Sequence, residues 1–531
     1  MALSGKLYFD GAWHQGEGPV YQAVNPVTGE AVAPLMTSAS PRQVELALGA
    51  AARAFPVYKN TLPGLRAGFL RACADEILAL GDELLDRLTL ETGYPRARVE
   101  GERARTCGQL NLFASLLEEG AHWEARIDTA QPDRKPLPKP DLRLLNQALG
   151  PVAVFGASNF PMAYSVAGGD TASALAAGCP VVVKGHPSHP GSCELVAQAM
   201  ARAVERCGMP TGVFSLLMDE GHAVGAQLVS APEIKAVGFT GSLGGGMALY
   251  RLASQRPEPI PVFAEMGSIN PVILVPETLK QKATEIAQGF VGSLTLGCGQ
   301  FCVNPGLVLA IAGEGLDQFL ASVATAVAEV EAGVMLNARI YEHYQQQSQR
   351  LAQSEAVDVV ASGKARQSGP GFLGQTHFLR TSASEFLARP ELQEEVFGPC
   401  SLLVVCESKQ QLMQVVAGLG GQLTGTIHAT ESELASWLDL ADLLTTKVGR
   451  LVVNGFPTGV EVTHAMVHGG PFPASTDGRF TSVGTAAIAR FMRPVCYQNY
   501  PQALLPDALK DHNPLGLMRL VNGVKTRDPI R

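Results

Sequence analysis

Residues 151–191 decide the fold: PVAVFGASNFPMAYSVAGGDTASALAAGCPVVVKGHPSHPG. Two short apolar runs, PVAVF and PVVVK, bracket the small-residue segment 162–178, which reads as a helix. A buried strand, a crossover helix and a second buried strand make a βαβ unit, and such units build parallel sheets covered on both faces. The alternation continues through a helix over 194–208, VFSLLM (213–218), a short helix, IKAVGFTGS (234–242), another helix and PVFAEMG (261–267). A second series follows: NPVILV (270–275), a helix to about Leu296, LVLAI (307–311), CSLLVVC (400–406), GTIHA (425–429) and RLVVNG (450–455). Two doubly wound parallel-sheet α/β domains in series are the economical reading.

Upstream, residues 5–35 read as short strands with turns at Asn25-Pro26 and Thr28-Gly29, and 41–120 as mostly helical. GDELLDRLTLETGYP (81–95) is an amphipathic helix stopped near Thr92-Gly93. QPDRKPLPKPD (131–141) reads as an extended connector or arm, and the tail from about Arg493 is irregular. The 531 residues carry 41 Lys plus Arg against 49 Asp plus Glu, a net charge of −8, with 46% hydrophobic and 17% charged residues. That composition excludes bulk disorder and, lacking a basic run, excludes the usual electrostatic footprint of a nucleic-acid binder. No apolar stretch approaches the roughly twenty residues of a membrane helix, and MALSGKLYFDGAWHQ is not a secretory signal. Ten irregularly spaced cysteines do not form a disulfide framework. The expectation is a cytoplasmic, multi-domain enzyme with neither a nucleic-acid nor a membrane partner.

Six constellations carry possible chemistry. FGASNFP (155–161) places Asn159 beyond a strand end, where it either anchors a loop or donates to an oxyanion. VVVKGHPSHPG (181–191) ends a buried strand on Lys184, a phosphate or ribose ligand or a snorkelling surface cation. His186 and His189 read as loop residues without metal spacing. GFTGSLGGGMALY (238–250) joins a strand, a Gly-rich turn and a helix start, which is either a phosphate nest or a tight connection. FAEMGSINP (263–271) sets Glu265 after an apolar strand, where burial would raise its pKa toward that of a general base; helix capping is the alternative. LGCGQFCVNPG (296–306) puts Cys302 among Gly-rich turns, where an NH-rich setting would favour the thiolate. Cys298 and Cys302 alone make a poor zinc site. EEVFGP (394–399) presents an acid and an aromatic ring on a turn, suited to ribose hydroxyls and a flat heterocycle.

Singly these motifs are weak, but in identity, order and spacing they resemble the aldehyde dehydrogenase superfamily from about residue 20 to about 490. The family's strand-end N-F-P, following Lys, F-T-G-S turn, Glu-x-Gly, Cys nucleophile and E-x-F-G-P correspond to Asn159, Lys184, Phe239–Ser242, Glu265, Cys302, and Glu395 with Phe397. The resemblance implies an NAD(P)-binding domain over 1–130 and 147–266, a catalytic domain over 267–465, and an oligomerisation arm and tail over 131–146 and 485–531. It implies a homodimer or homotetramer with no catalytic metal. In the implied mechanism Cys302 attacks an aldehyde, Asn159 and the Cys302 N–H hold the oxyanion, and Glu265 activates the hydrolytic water. Lys184 and Glu395 would bind the cofactor riboses, Ser242 and Gly241 the pyrophosphate, and Phe397 the nicotinamide, with Phe155 also at the cofactor. The acidic residue common three positions after the Lys is Pro187 here. Losing that carboxylate removes repulsion toward a 2′-phosphate, so NADP should be tolerated alongside NAD or preferred to it, with Ser188 and His222 nearby.

Longer stretches narrow the resemblance. Residues 160–191, GQFCVNPG (299–306) and NGFPTGVEVTHAMVHGGPFPAST (454–476) are similar to α-ketoglutaric semialdehyde (2,5-dioxopentanoate) dehydrogenases, which finish bacterial degradation of pentoses, sugar acids or hydroxyproline. An oxo-acid semialdehyde carries a carboxylate, so its tunnel needs a cation. Arg103 is the candidate, or else a solvent-facing helix residue. Phe160, the loop 460–468 and His468 would shape the rest, and the His464/His468 spacing is no zinc signature. Cys298 is a neighbour able to trap Cys302 oxidatively. The alternatives are broad NADP-dependent oxidation of aliphatic aldehydes, acyl transfer to coenzyme A, which the retained Glu265 disfavours, and cofactor binding without catalysis.

Overall fold

The computed structural model describes residues 3–365 and 369–530. Its first sheet has the strand order Val262–Glu265, Ala236–Thr240, Val152–Phe155, Val181–Lys184, Phe214–Leu217, Leu7–Phe9 and Ala12–His14. The five strands from 152 onward are parallel. The N-terminal hairpin adds antiparallel strands at one edge, turning on Asp10-Gly11, both at positive φ as a two-residue hairpin loop demands. The chain winds one way from 152–155 to 181–184 and 214–217, then returns to 236–240 on the other side. The switch point therefore lies at Phe155 and Phe239, where open α/β sheets bind ligands.

Four helices, Pro41–Tyr58, Pro63–Ala79, Gly81–Thr92 and Arg96–Glu119, extend the first core. The first starts on a Ser40/Gln43 capping box with proline at its first position, and the last two end on left-handed Gly93 and Gly120. One expectation fails: the helix read over 162–178 begins only at Gly169. Residues 161–168 are consecutive turns, because Gly168 brings its backbone against the Ala163 carbonyl so closely that a Cβ would sit 2.5 Å from that oxygen. Small-residue composition alone did not separate these turns from helix.

The second sheet runs Asp358–Ser362, His377–Ser382, Cys400–Cys406, Leu307–Ile311, Pro271–Leu274, Gln422–His428 and Val448–Val453, with only the 358–362 strand antiparallel. Loop 466–484 returns to the first sheet, where the Met266 N–H donates to the Ala474 carbonyl (2.8 Å). A third layer pairs Leu142–Ala148 with Met492–Gln498 over its whole length and adds Arg126–Asp128, Arg519–Val521 and Val524–Thr526. It thus takes in strand 126–128 and residues 147–148, which the sequence reading assigned to the nucleotide-binding part, and leaves out 485–491. Ladder hydrogen bonding, invisible in composition, sets that boundary. Among the described residues no helix is long and apolar enough to cross a membrane.

Candidate active site

Cys302 lies just after a tight turn, Leu296–Gly299, in which Gly297, Cys298 and Gly299 all have positive φ. A Cβ on Gly299 would come 2.3 Å from the Gly398 backbone, so LGCGQFC can pack against EEVFGP only with glycine there. Asn270, itself at positive φ, clamps the turn: its amide donates to the carbonyls of Cys302 and Asn304, each at 2.9 Å. Gln422 in turn accepts from the Ile269 and Asn270 N–H groups. Neither Asn270 nor Gln422 has a sequence signal beyond residue type.

The thiol sulfur is 3.3 Å from Nε2 of His468, and the same nitrogen is 2.8 Å from Oε1 of Glu265. The Ser482 hydroxyl donates to the other Glu265 oxygen (2.6 Å). Glu265 and His468 are buried and Cys302 is half-buried. Burial pushes the Glu265 carboxyl up, but the His468 ring, the Ser482 hydroxyl and the Cys302 thiol pull it down further, so the net direction is below the ordinary carboxylate value. This corrects the expectation that burial would raise it, since the sequence hides the partners. Burial, reinforced by Glu265, pushes the Cys302 thiol well above its ordinary value. At rest the site therefore holds a thiol facing a carboxylate, with an imidazole touching both. His468, expected to shape the substrate pocket, touches both Cys302 and Glu265.

Asn159 donates its amide to the Gln300 carbonyl (3.0 Å), two residues before Cys302. Its own carbonyl accepts from Tyr94 and Arg98, each at 3.0 Å. Phe160, Tyr164 and Phe301 pack edge-to-face into a box, with Val460, Val462 and Met466 against it. Arg103 does not reach this box; its guanidinium donates to the Gly81 carbonyl (2.9 Å), at the junction of two helices. Three cations border the box: Arg98, whose guanidinium lies 4.7 and 5.5 Å from the Phe301 and Phe160 ring centres, Arg105, which donates to the Tyr164 hydroxyl (3.1 Å) over the Phe160 and Tyr164 rings, and Arg450. Arg105 is close enough for its charge to oppose the rise of the Cys302 thiol's pKa, and burial lowers that of Arg450, with the neighbouring Cys302 and Tyr164 opposing the fall. Arg105 and Arg450 each keep a buried Nε without a hydrogen-bond partner. Two residues along a helix turn the side chain by about 200°, which is why Arg103 and Arg105 face apart. Cys298 is also separated from Cys302: its sulfur packs on Gly333 and the Gly374 carbonyl.

At the ends of the first sheet's strands, Lys184 donates to the Asp219 carbonyl (2.8 Å), and burial lowers its pKa. The Phe155 ring lies against Gly225, where a Cβ would come within 2.9 Å. The Gly241 N–H donates to the Glu265 carbonyl, tying the F-T-G-S turn to the base. Ser242 caps the helix Leu243–Ser254 by accepting from the Gly245 N–H, and a Cβ on Gly244 would meet only open space. Pro187 is half-buried, the Ser188 hydroxyl accepts from Asn337 (2.8 Å), and His222 is exposed before the helix Ala223–Ser230. Glu395 lies against Gly267 and the Ser268 N–H, its pKa pushed up by burial to about 7. It lines a cleft together with Phe397, Ser268, Gly299 and Phe301.

Residues 13–494 match the aldehyde dehydrogenase family. The chain belongs to that family. It is 51% identical over 524 residues to α-ketoglutaric semialdehyde dehydrogenase 2 of Azospirillum brasilense, covering 98% of this chain and 99% of that one. It is 48% identical to α-ketoglutaric semialdehyde dehydrogenase of Acinetobacter baylyi, with 99% of both chains covered. Betaine aldehyde dehydrogenase of Staphylococcus aureus, solved with NAD+, shares the fold at a TM-score of 0.80 and 20% identity, over 95% of this chain and 99% of that chain. Within an aldehyde dehydrogenase frame, sequence reasoning missed Arg105, Asn270, Ser482 and the bridging place of His468. The cation requirement was visible, but a helix of four arginines between 96 and 105 offers no sequence signal for which one faces inward.

Proposed function

We propose that the protein oxidises α-ketoglutaric semialdehyde to 2-oxoglutarate with NAD(P)+. The observation that carries this reading is a Cys302–His468–Glu265 cluster beneath the half-buried Arg105 and Arg450, supported by near-full-length similarity to enzymes named for that substrate. The donor set suits the cofactor. Lys184 and Glu395 offer a cation and a carboxylate to the riboses, and Gly244, in the first turn of the helix that Ser242 caps, faces open space where a pyrophosphate would meet the helix start. When bound, NAD(P)+ supplies the hydride acceptor that turns the Cys302 hemithioacetal into a thioester.

The chain's own residues do the rest. Cys302 Sγ attacks the carbonyl carbon while its proton passes to Nε2 of His468, 3.3 Å away. The Cys302 N–H and the Asn159 amide, turning from the Gln300 carbonyl, hold the oxyanion. Glu265 then takes a proton from the water that hydrolyses the thioester, with Ser482 and His468 orienting its two oxygens. Arg105 and Arg450 hold the distal carboxylate. Residues 185–190, GHPSHP, contain no carboxylate to repel a 2′-phosphate, so NADP is accepted as well as NAD. Subunits pair through the layer that ends on strands 492–498 and 524–526, giving a homodimer or homotetramer. The test is reduced-cofactor formation across an aldehyde panel with NAD and NADP in parallel. Turnover of long-chain aldehydes without α-ketoglutaric semialdehyde would overturn the substrate; rejection of NADP would overturn the Pro187 argument.

A further inference from the structure

We propose that Cys302, His468 and Glu265 form a binding site for a thiophilic divalent cation of the zinc class, and that filling it silences the nucleophile. Only the silencing rests on Cys302 being the nucleophile; the site rests on geometry. One sulfur, one imidazole nitrogen and one carboxylate oxygen from three separate segments lie within 4.8 Å of one another. Sγ and Nε2 are 3.3 Å apart, and Nε2 and Oε1 2.8 Å. Despite that short separation, Oε1 is a buried oxygen with no aligned hydrogen-bond donor. Sγ and Nε2 are within hydrogen-bonding reach of each other, and all three donor atoms face one shared space.

A tetrahedral zinc ion, with bonds of about 2.0–2.3 Å, spaces its donors about 3.4–3.6 Å apart. The two pairs that share Nε2, at 3.3 and 2.8 Å, need to open by about half an ångström or less to reach that spacing, and the sulfur and the carboxylate oxygen already lie within 4.8 Å. The Ser482 hydroxyl holds the Glu265 carboxylate directly, and the backbones that carry the other two ligands are pinned: Asn270 donates to the Cys302 carbonyl, and the His468 main-chain N–H donates to the Thr481 hydroxyl. Such backing is what orients ligands in built metal sites. Three protein ligands leave a fourth position open on the half-exposed side of Cys302. The soft sulfur and the imidazole select Zn2+, Co2+ or Cd2+ over Mg2+ and Ca2+. Two anionic ligands offset the nearby charges of Arg105 and Arg450. On binding, the S–H bond gives way to a sulfur–metal bond and one proton is released to solvent, with no change of oxidation state. The sulfur lone pair and the base carboxylate are then both engaged.

The test uses the full chain without cofactor, titrated with Co2+. The expected result is one Co2+ per chain with a thiolate-to-cobalt absorption band, displaced by Zn2+ and unaffected by Mg2+. Cys302→Ser abolishes the band, while His468→Gln and Glu265→Gln each weaken Co2+ binding at least about tenfold. Matching circular dichroism spectra establish that the variants are folded. Zn2+ at the same occupancy stops aldehyde oxidation, and a chelator restores it. Absence of the band, or a band unchanged in Cys302→Ser or His468→Gln, overturns the site. A saturated band with undiminished oxidation overturns the silencing and, with it, Cys302 as nucleophile.

Discussion

Replacing Arg105 with Met tests the carboxylate clamp most directly. Methionine keeps an unbranched stem against Phe160 and Tyr164, where the arginine packs with its charge 5.8 and 5.4 Å from the ring centres, but removes the charge. Of the three guanidinium groups around the box, Arg98 donates to the Asn159 carbonyl and Arg450 to the Gly459 and Pro457 carbonyls, whereas Arg105 donates to the Tyr164 hydroxyl. A hydrogen bond to a charged group contributes about 1.5–3 kcal/mol. At about 1.4 kcal/mol per factor of ten, kcat/KM for α-ketoglutaric semialdehyde should fall about 10- to 150-fold. Propanal has no carboxylate to lose, so its kcat/KM should stay within about threefold. The assay is initial-rate formation of reduced cofactor on both substrates at fixed ionic strength. Because the pocket is partly buried, added salt should reproduce little of the effect. An equal loss on both aldehydes would mean Arg105 only supports Tyr164; no loss on either would place the carboxylate elsewhere. Both outcomes refute the clamp.

Other perturbations separate the remaining roles. Glu265→Gln should leave a burst of one reduced cofactor per active site while steady-state turnover drops about 10²- to 10⁴-fold, as expected for loss of a general base; rapid-mixing absorbance checks this. Glu395, with a pKa near 7, accepts from ribose hydroxyls more strongly when ionised, so cofactor KM should rise as pH falls from 8 to 6, and Glu395→Gln should flatten that profile. In the cofactor-free protein the same group holds its proton more tightly folded than unfolded. That stabilisation is full below about 4.5 and is lost as pH rises past about 7, which urea titrations at several pH values would detect. Arg490→Met leaves Asp170, buried and 2.8 Å from the guanidinium, without its charge partner. Stability should drop by about 3–5 kcal/mol in denaturant unfolding.

The architecture was legible because its signals are local. Short apolar runs at the spacing of βαβ units produce parallel sheets wherever helices cover both faces, and 152–155, 181–184, 236–240, 262–265 and 307–311 all formed as strands. Cys302, Glu265, Asn159, Lys184 and Glu395 stand out because each sits at a strand end or Gly-rich turn in a fixed order. Segment 161–168 was misread because small apolar residues serve close-packed turns as well as helices. Which arginine faces inward was not legible, since on one helix that depends on packing partners distant in sequence.

By itself, then, the sequence determined two doubly wound domains and the family, and it singled out the residues proposed as nucleophile, base and cofactor ligands, because strand periodicity and motif order are properties of neighbours along the chain. Tertiary structure alone decided what those residues experience. Only folding brings His468 and Ser482, more than 160 residues from Cys302 and Glu265 in the chain, into contact with them. That contact reverses the direction in which burial pushes the Glu265 carboxyl, because a buried charge is governed by its nearest dipoles and charges, whatever their place in the sequence.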